Sequence, residues 1–248
     1  MRFRGYAFVD WDDTMAENIR YFHEAEEANS QLIARATGHD PVVVRQRGQE
    51  IDLATARRIG LVKESLSIAW VECYHEFCAG AGLEPDPAVE EAVRQNSCRP
   101  YEIKQELLPG SRETLAWLHE AGFEVTIWTA GDRAVQERKV AESGLTGFVH
   151  RVVAVADKDP ERLASALGDR DRSMAFVVGN SVHSDIRPAL ALGIQAYHVP
   201  AETWAFDHAR LDLTDAHYQR VEVITELPAV LTARFGLGGE AEAVDAAG

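Results

Sequence analysis

Asp10, Asp12 and Asp13 place three carboxylates within four residues of the segment Val9-Asp10-Trp11-Asp12-Asp13-Thr14. Such clustering is costly without a cation. A hard divalent metal with oxygen ligands relieves it, and magnesium suits phosphate chemistry. Three further polar stations lie far along the chain. Thr129 ends the apolar run Val125-Thr126-Ile127-Trp128, Lys158 stands just before Asp159-Pro160, and Gly179-Asn180-Ser181-Val182-His183-Ser184-Asp185 follows another apolar run. A Thr hydroxyl can donate to a phosphate oxygen, and a lysine can face it as a point charge. Asn180 and Asp185 offer oxygen ligands at a helix start, where anions are favoured. Singly, each station has an ordinary structural use: a solvated acidic turn, a capping Thr or Ser, a surface lysine. Together they require four polar groups to fall at four strand ends on one edge of one sheet, and that convergence points to a site.

The elements that must position these residues can be read from pattern. Residues 4–9 form a short apolar strand ending at Asp10. Residues 15–107 are rich in Ala, Glu, Arg and Leu and poor in β-branched runs, which favours helix. Helices are expected over 17–36 and 61–79, with a third opened by Asp86-Pro87 as cap and first helical proline. Beyond Pro109-Gly110 strand and helix alternate: helix 111–121, strand 123–129, helix 132–143, strand 152–156, a helix capped at Asp159-Pro160, strand 174–178, helix 186–192, strand 195–199 and a last helix over 225–235. The alternation predicts an α/β fold, a parallel sheet with helices on both faces. An insertion after the first strand lies over the carboxyl ends of the strands, where such sheets bind ligands.

Asp10-Trp11-Asp12-Asp13-Thr14 resembles the first signature of the haloacid dehalogenase-like superfamily, Asp-x-Asp-x-Thr. Thr129, Lys158 and Gly179-Asn180-Ser181-x-x-Ser184-Asp185 resemble its second, third and fourth signatures, in order, and the likeness covers roughly residues 4–200. The resemblance implies a Rossmann-like core domain over 1–15 and 108–235 and an α-helical cap domain over 16–107; residues 236–248, rich in Gly, Ala and Glu and poor in large apolar residues, are expected to be disordered. It implies Asp10 as nucleophile and Asp12 as general acid and base. Thr129, Ala130 and Lys158 would hold the phosphoryl group, and Asp10, Asp12, Asn180 and Asp185 would hold Mg2+. Two positions depart from the pattern: Asp13 stands where Gly is frequent, and Asn180 where Asp is frequent.

The expected activity is that of a magnesium-dependent phosphatase acting on a small phosphorylated metabolite through an aspartyl-phosphate. Asp12 favours phosphoryl transfer over dehalogenation. The alternatives are a phosphonate-cleaving relative using Lys63, a phosphomutase, or a non-catalytic binding protein with a vestigial site. Arg20, Arg45, Arg47, Arg57 and Arg58 are candidates for a second anionic group of the substrate. Trp204 and Phe206 are candidates to pack on the core or form an interface.

The 248 residues are 46% hydrophobic and carry a net charge of −15. That charge repels nucleic acid and anionic membrane, so neither is expected as a partner, and an anionic substrate needs a local positive site. Cys73, Cys78 and Cys98 form no disulfide framework and no zinc pattern. No cleavage-type leader or bilayer-spanning run is evident, and a cytoplasmic setting is expected. Dinucleotide-binding, P-loop, metalloprotease and nucleophile-elbow motifs are missing. Oligomeric state is left open.

Overall fold

The computed structural model describes residues 3–60, 62–203 and 214–237; Trp204, Phe206 and residues 238–248 lie outside them. The strands are β1 (Gly5–Val9), β2 (Phe123–Ala130), β3 (Arg151–Val155), β4 (Ala175–Gly179), β5 (Gln195–His198) and β6 (Tyr218–Arg220). They form one sheet in the order β3-β2-β1-β4-β5-β6, with every neighbouring pair parallel. Their apolar sequences alternate between two buried faces, as expected of a sheet covered on both sides. Ala7, Val9, Val125, Ile127, Phe176 and Val178 enter one cluster, while Phe8, Trp128 and Val177 enter the other. The first face is covered by α5 (Ser111–Glu120), α6 (Arg133–Glu142) and α9 (Leu227–Phe235), the second by α7 (Pro160–Leu167) and α8 (Arg187–Ala191).

Four helices fill the insertion: α1 (Ile19–Thr37), α2 (Pro41–Ile59), α3 (Ser65–Ala81) and α4 (Pro87–Glu102). They share a cluster of their own, centred on Ile33, Val44, Leu66, Trp70, Tyr74 and Val93. The sequence reading missed α2. Its β-branched Val42-Val43-Val44 and interior Gly48 weigh against helix. Yet Asp40 accepts from Val42 N at 2.8 Å with Pro41 in the first turn, the same opening as Asp86-Pro87 at α4. Gly48 is a packing requirement: a Cβ there would lie 2.6 Å from Trp70 Cη2. β6 was also not predicted. Arg187–Ala191 is shorter than the expected helix, because a wide turn over Val182–Ile186 precedes it. Gly236 ends α9 in the left-handed conformation and Leu237 packs on the core, so the first two residues of the expected tail belong to the helix end.

The two chain crossings into and out of the insertion run side by side. Glu17 N donates to Glu106 O, Leu108 N to Met15 O, and Ala16 bridges to Leu107. No described helix is long and apolar enough to cross a membrane.

Candidate active site

Because all six strands are parallel, Asp10, Thr129, Ala130, Lys158, Asn180 and Asp185 come to the same sheet edge. β1 is the switch point: the chain builds β2 and β3 on one side of it and β4 to β6 on the other. A crevice is expected at such a point, and a cavity of about 720 Å³ opens there between the sheet edge and α1–α4. Asp10, Asp12, Thr129, Ala130, Lys158, Asn180 and Asp185 all line it.

Asp10 sits at its floor, 4% exposed. Lys158 Nζ donates to Asp10 Oδ1, and to Asp185 Oδ1 at 2.7 Å. Thr14 Oγ1 donates to Asp10 Oδ2 at 2.8 Å and lies 3.4 Å from Asn180 Oδ1. Burial and the neighbouring Asp10 push the Asp185 carboxyl up to about 7, and burial also raises Asp10 although Lys158 opposes it. Burial works against the Lys158 charge too, but Asp10 and Asp185 outweigh it and hold the ammonium above its ordinary value. Gly179 makes this packing possible, since a Cβ there would lie 2.3 Å from Asp185 Cγ. Ser181 N then donates to Asp185 Oδ2 at 3.1 Å, which orients the carboxylate.

Asp12 belongs to a second cluster that the sequence reading did not find. Lys139 Nζ lies 2.8 and 3.0 Å from its two oxygens; Gln105 Nε2 donates to Oδ1 at 2.8 Å and Gln136 Nε2 to Oδ2 at 2.9 Å. Burial disfavours the charge, but Lys139 and the two amides outweigh it and hold Asp12 below the usual carboxylate range. Asn18 Oδ1 accepts from both Gln105 and Lys139, and Trp11 Nε1 donates to Gln105 Oε1. Gln136 and Lys139 lie one turn apart on α6 and are buried. In sequence they sit in Arg133-Ala134-Val135-Gln136-Glu137-Arg138-Lys139, which reads as a solvated face. The available signal is scarcity: lysine occurs only four times in the chain, and two of the four are buried here.

Asp13 takes a third role. Its φ of 59° is left-handed, a conformation glycine adopts without strain. Its carboxylate accepts from Asn18 N and Ile19 N at 2.8 and 2.9 Å and so caps α1, whose own cap residue Asn18 makes no such bond. Burial pushes Asp13 up to about 7 despite those two donors.

Among the described residues no three His, Cys, Asp or Glu side chains form a metal-holding group. The oxygen donors that converge are the Asp10 and Asp185 carboxylates and the Asn180 amide, a set suited to a hard cation. Two buried carboxylates facing one ammonium leave the pocket short of positive charge, which is the electrostatic condition a divalent ion would meet.

The insertion-side arginines do not supply an anion site. None of Arg20, Arg45, Arg47, Arg57 and Arg58 lines the cavity, and Arg20, Arg45, Arg47 and Arg58 pair with glutamates. Lys63 is exposed, faces Glu64 and is likewise outside the cavity. Cys73 and Cys78 are buried thiols and Cys98 is half-buried.

A family model for haloacid dehalogenase-like hydrolases matches residues 6–193. The chain therefore belongs to that family of hydrolases. A ribulose-1,5-bisphosphate 5-phosphatase of Halopiger xanaduensis is 30% identical over 118 residues, 45% of this chain and 49% of that protein, so the match spans about half of the relative. A haloacid dehalogenase-like hydrolase of Xanthomonas campestris superposes with a TM-score of 0.78 at 22% identity, over 97% of this chain and 100% of that one. An L-2-haloacid dehalogenase of Xanthobacter autotrophicus gives 0.56 at 14% identity, over 96% and 99%. At these identities the two structures share the fold.

Proposed function

We propose that this hydrolase is a magnesium-dependent phosphatase of small phosphorylated metabolites, with α1–α4 acting as a cap over the core. The observation that carries the reading is the pairing of Asp10, held at the cavity floor by Lys158 and Thr14, with a second cavity-lining carboxylate, Asp12, two residues on. A carbon-centred displacement needs no such acid; departure of an alkoxide from phosphorus does. The partial match to a phosphatase points the same way.

In this reading an Asp10 oxygen attacks phosphorus in line, a P–O bond to Asp10 forms, and the bond to the leaving alcohol breaks. Asp12 gives its proton to the departing oxygen. It then takes a proton from the water that attacks phosphorus and releases Asp10. Lys139 favours the ionised form of Asp12, so the acid step draws on the arriving phosphate charge to raise its pKa. Thr129, the backbone N–H of Ala130, and Lys158 face the phosphoryl oxygens. Asp10, the Asp12 carbonyl, Asn180 and Asp185 would hold Mg2+, which supplies charge neutralisation between carboxylate and phosphate. Lys63, outside the cavity, gives a Schiff-base route no support.

The test is p-nitrophenyl phosphate hydrolysis with and without magnesium. Asp10→Asn is expected to lower kcat by about a thousandfold or more, and chelation to abolish turnover. Wild-type rates in either case would overturn the assignment.

A further inference from the structure

The phosphate end of the cavity is defined by the core, but the opposite wall belongs to α1 and α2 and carries a different chemistry. Glu26 lies on α1, with Glu50 and Asp52 on α2, and all three line the cavity. Glu26 is only 4% exposed. Its Oε2 accepts from Gln49 Nε2 at 2.8 Å and lies 3.5 Å from Arg45 Nη2, while its Oε1 has no hydrogen-bond partner among the described residues. Asp52 has neither hydrogen bond nor ion pair among the described residues, and Glu50 is closed on Arg47 at 2.8 Å. Among the described residues the lining lysines are both committed. Lys139 is held by Asp12, Lys158 by Asp10 and Asp185, and His23 faces Glu202 at 3.7 Å. Apolar side chains line the cavity too: Phe22, Leu53 and Leu66, with the Tyr101 ring against Phe22.

We propose that the alcohol part of the substrate carries a protonated amine, which docks on Glu26 and Asp52 across an aliphatic spacer from the phosphate at Asp10. This rests on the phosphatase reading and names its substrate class: aminoalkyl phosphomonoesters. Asp52 lines the cavity without a partner among the described residues and feels the Glu26 charge, and an ammonium would give it a charge-assisted bond. Without a ligand the pair relieves its repulsion differently: burial and the Glu26 charge push Asp52 up to about 6, so it holds a proton more readily than a free aspartate. Glu26, Glu50 and Asp52 outnumber Arg45 and Arg47, the arginines paired with them, so a second phosphate or a carboxylate would meet net negative charge at this wall. The cavity is thus unsuited to a bisphosphate such as the one named for the Halopiger relative.

The test compares the full-length protein, with magnesium, on aminoalkyl, alkyl and carboxyalkyl phosphates of matched length from ethyl to pentyl, with p-nitrophenyl phosphate as reference. The expected kcat/KM for the best amine exceeds that of its alkyl match by about tenfold or more, and the carboxylate falls below the alkyl ester. Glu26→Gln and Asp52→Asn are each expected to pull the amine-to-alkyl ratio toward one, through KM rather than kcat. Turnover of p-nitrophenyl phosphate with no preference for the amine overturns the inference and leaves the phosphatase reading standing. If nothing is hydrolysed, calorimetric binding of aminopropyl phosphonate against propyl phosphonate still decides the wall: tighter binding of the amine upholds it, equal affinity overturns it.

Discussion

The three aspartates of the opening motif look alike in sequence and do different things. Asp10 faces Lys158 and Thr14, Asp12 faces Lys139 and two glutamine amides, and Asp13 caps a helix. Clustered acidity was legible and its division was not, because the partners come from residues 14, 105, 136, 139 and 158. Asp13 carries two opposed contributions, a strained left-handed backbone and a useful cap. Asp13→Ala loses the cap and keeps the strain, and a loss of about 1–3 kcal/mol is expected. Asp13→Gly relieves the strain and should lose less. Urea unfolding of both variants measures the order, and an Asp13→Gly protein less stable than Asp13→Ala would contradict it. The Asn180 departure is mild at this scale: its side-chain oxygen still lies near Thr14 and its carbonyl bonds His198.

Legibility among the elements followed physical contrast. Buried strands such as Phe123–Ala130 are continuous apolar runs, and Asp-Pro openings marked α4 and α7. The α2 helix was hidden because its stability comes from packing on α3 rather than from propensity. Gly48, which argues against helix in isolation, is where α2 and α3 come close over Trp70. Gly48→Ala gains helix propensity but collides with the ring, and the collision should win by about 1–3 kcal/mol. Thermal denaturation checks this; a stabilised variant would show that the ring yields easily. The inward polar face of α6 escaped notice for the opposite reason. Gln136 and Lys139 look like surface residues until Asp12 is placed opposite them.

For the whole molecule, the acidic wall has a stability consequence. Asp52 titrates near 6 when folded and near 3.8–3.9 when unfolded, so the folded state binds more protons between those values. Its contribution is full below the unfolded pKa and is lost as pH rises through 6. Asp52→Asn should therefore be more stable than wild type at pH 7, by about 1 kcal/mol after allowance for partial exposure, with no difference below pH 4. Denaturation at the two pH values measures it, and an equal difference at both would sink the argument. Topology has another consequence, for the nascent chain. β1 is the central strand, yet Gly5 pairs with Phe123 and Tyr6 with Ala175. At ribosomal speed roughly 6–24 seconds separate its emergence from that of its first partner. Within that interval α1–α4 already own every residue of their cluster, drawn from positions 22–101. A chain ended at residue 110 is expected to show a helical far-ultraviolet signal with a cooperative melt, and a featureless melt would deny it independence. The strand that delivers Asp10 is paired after the helices, so the reactive edge comes into being only once Ala175–Gly179 has also left the exit tunnel and β4 can close on it.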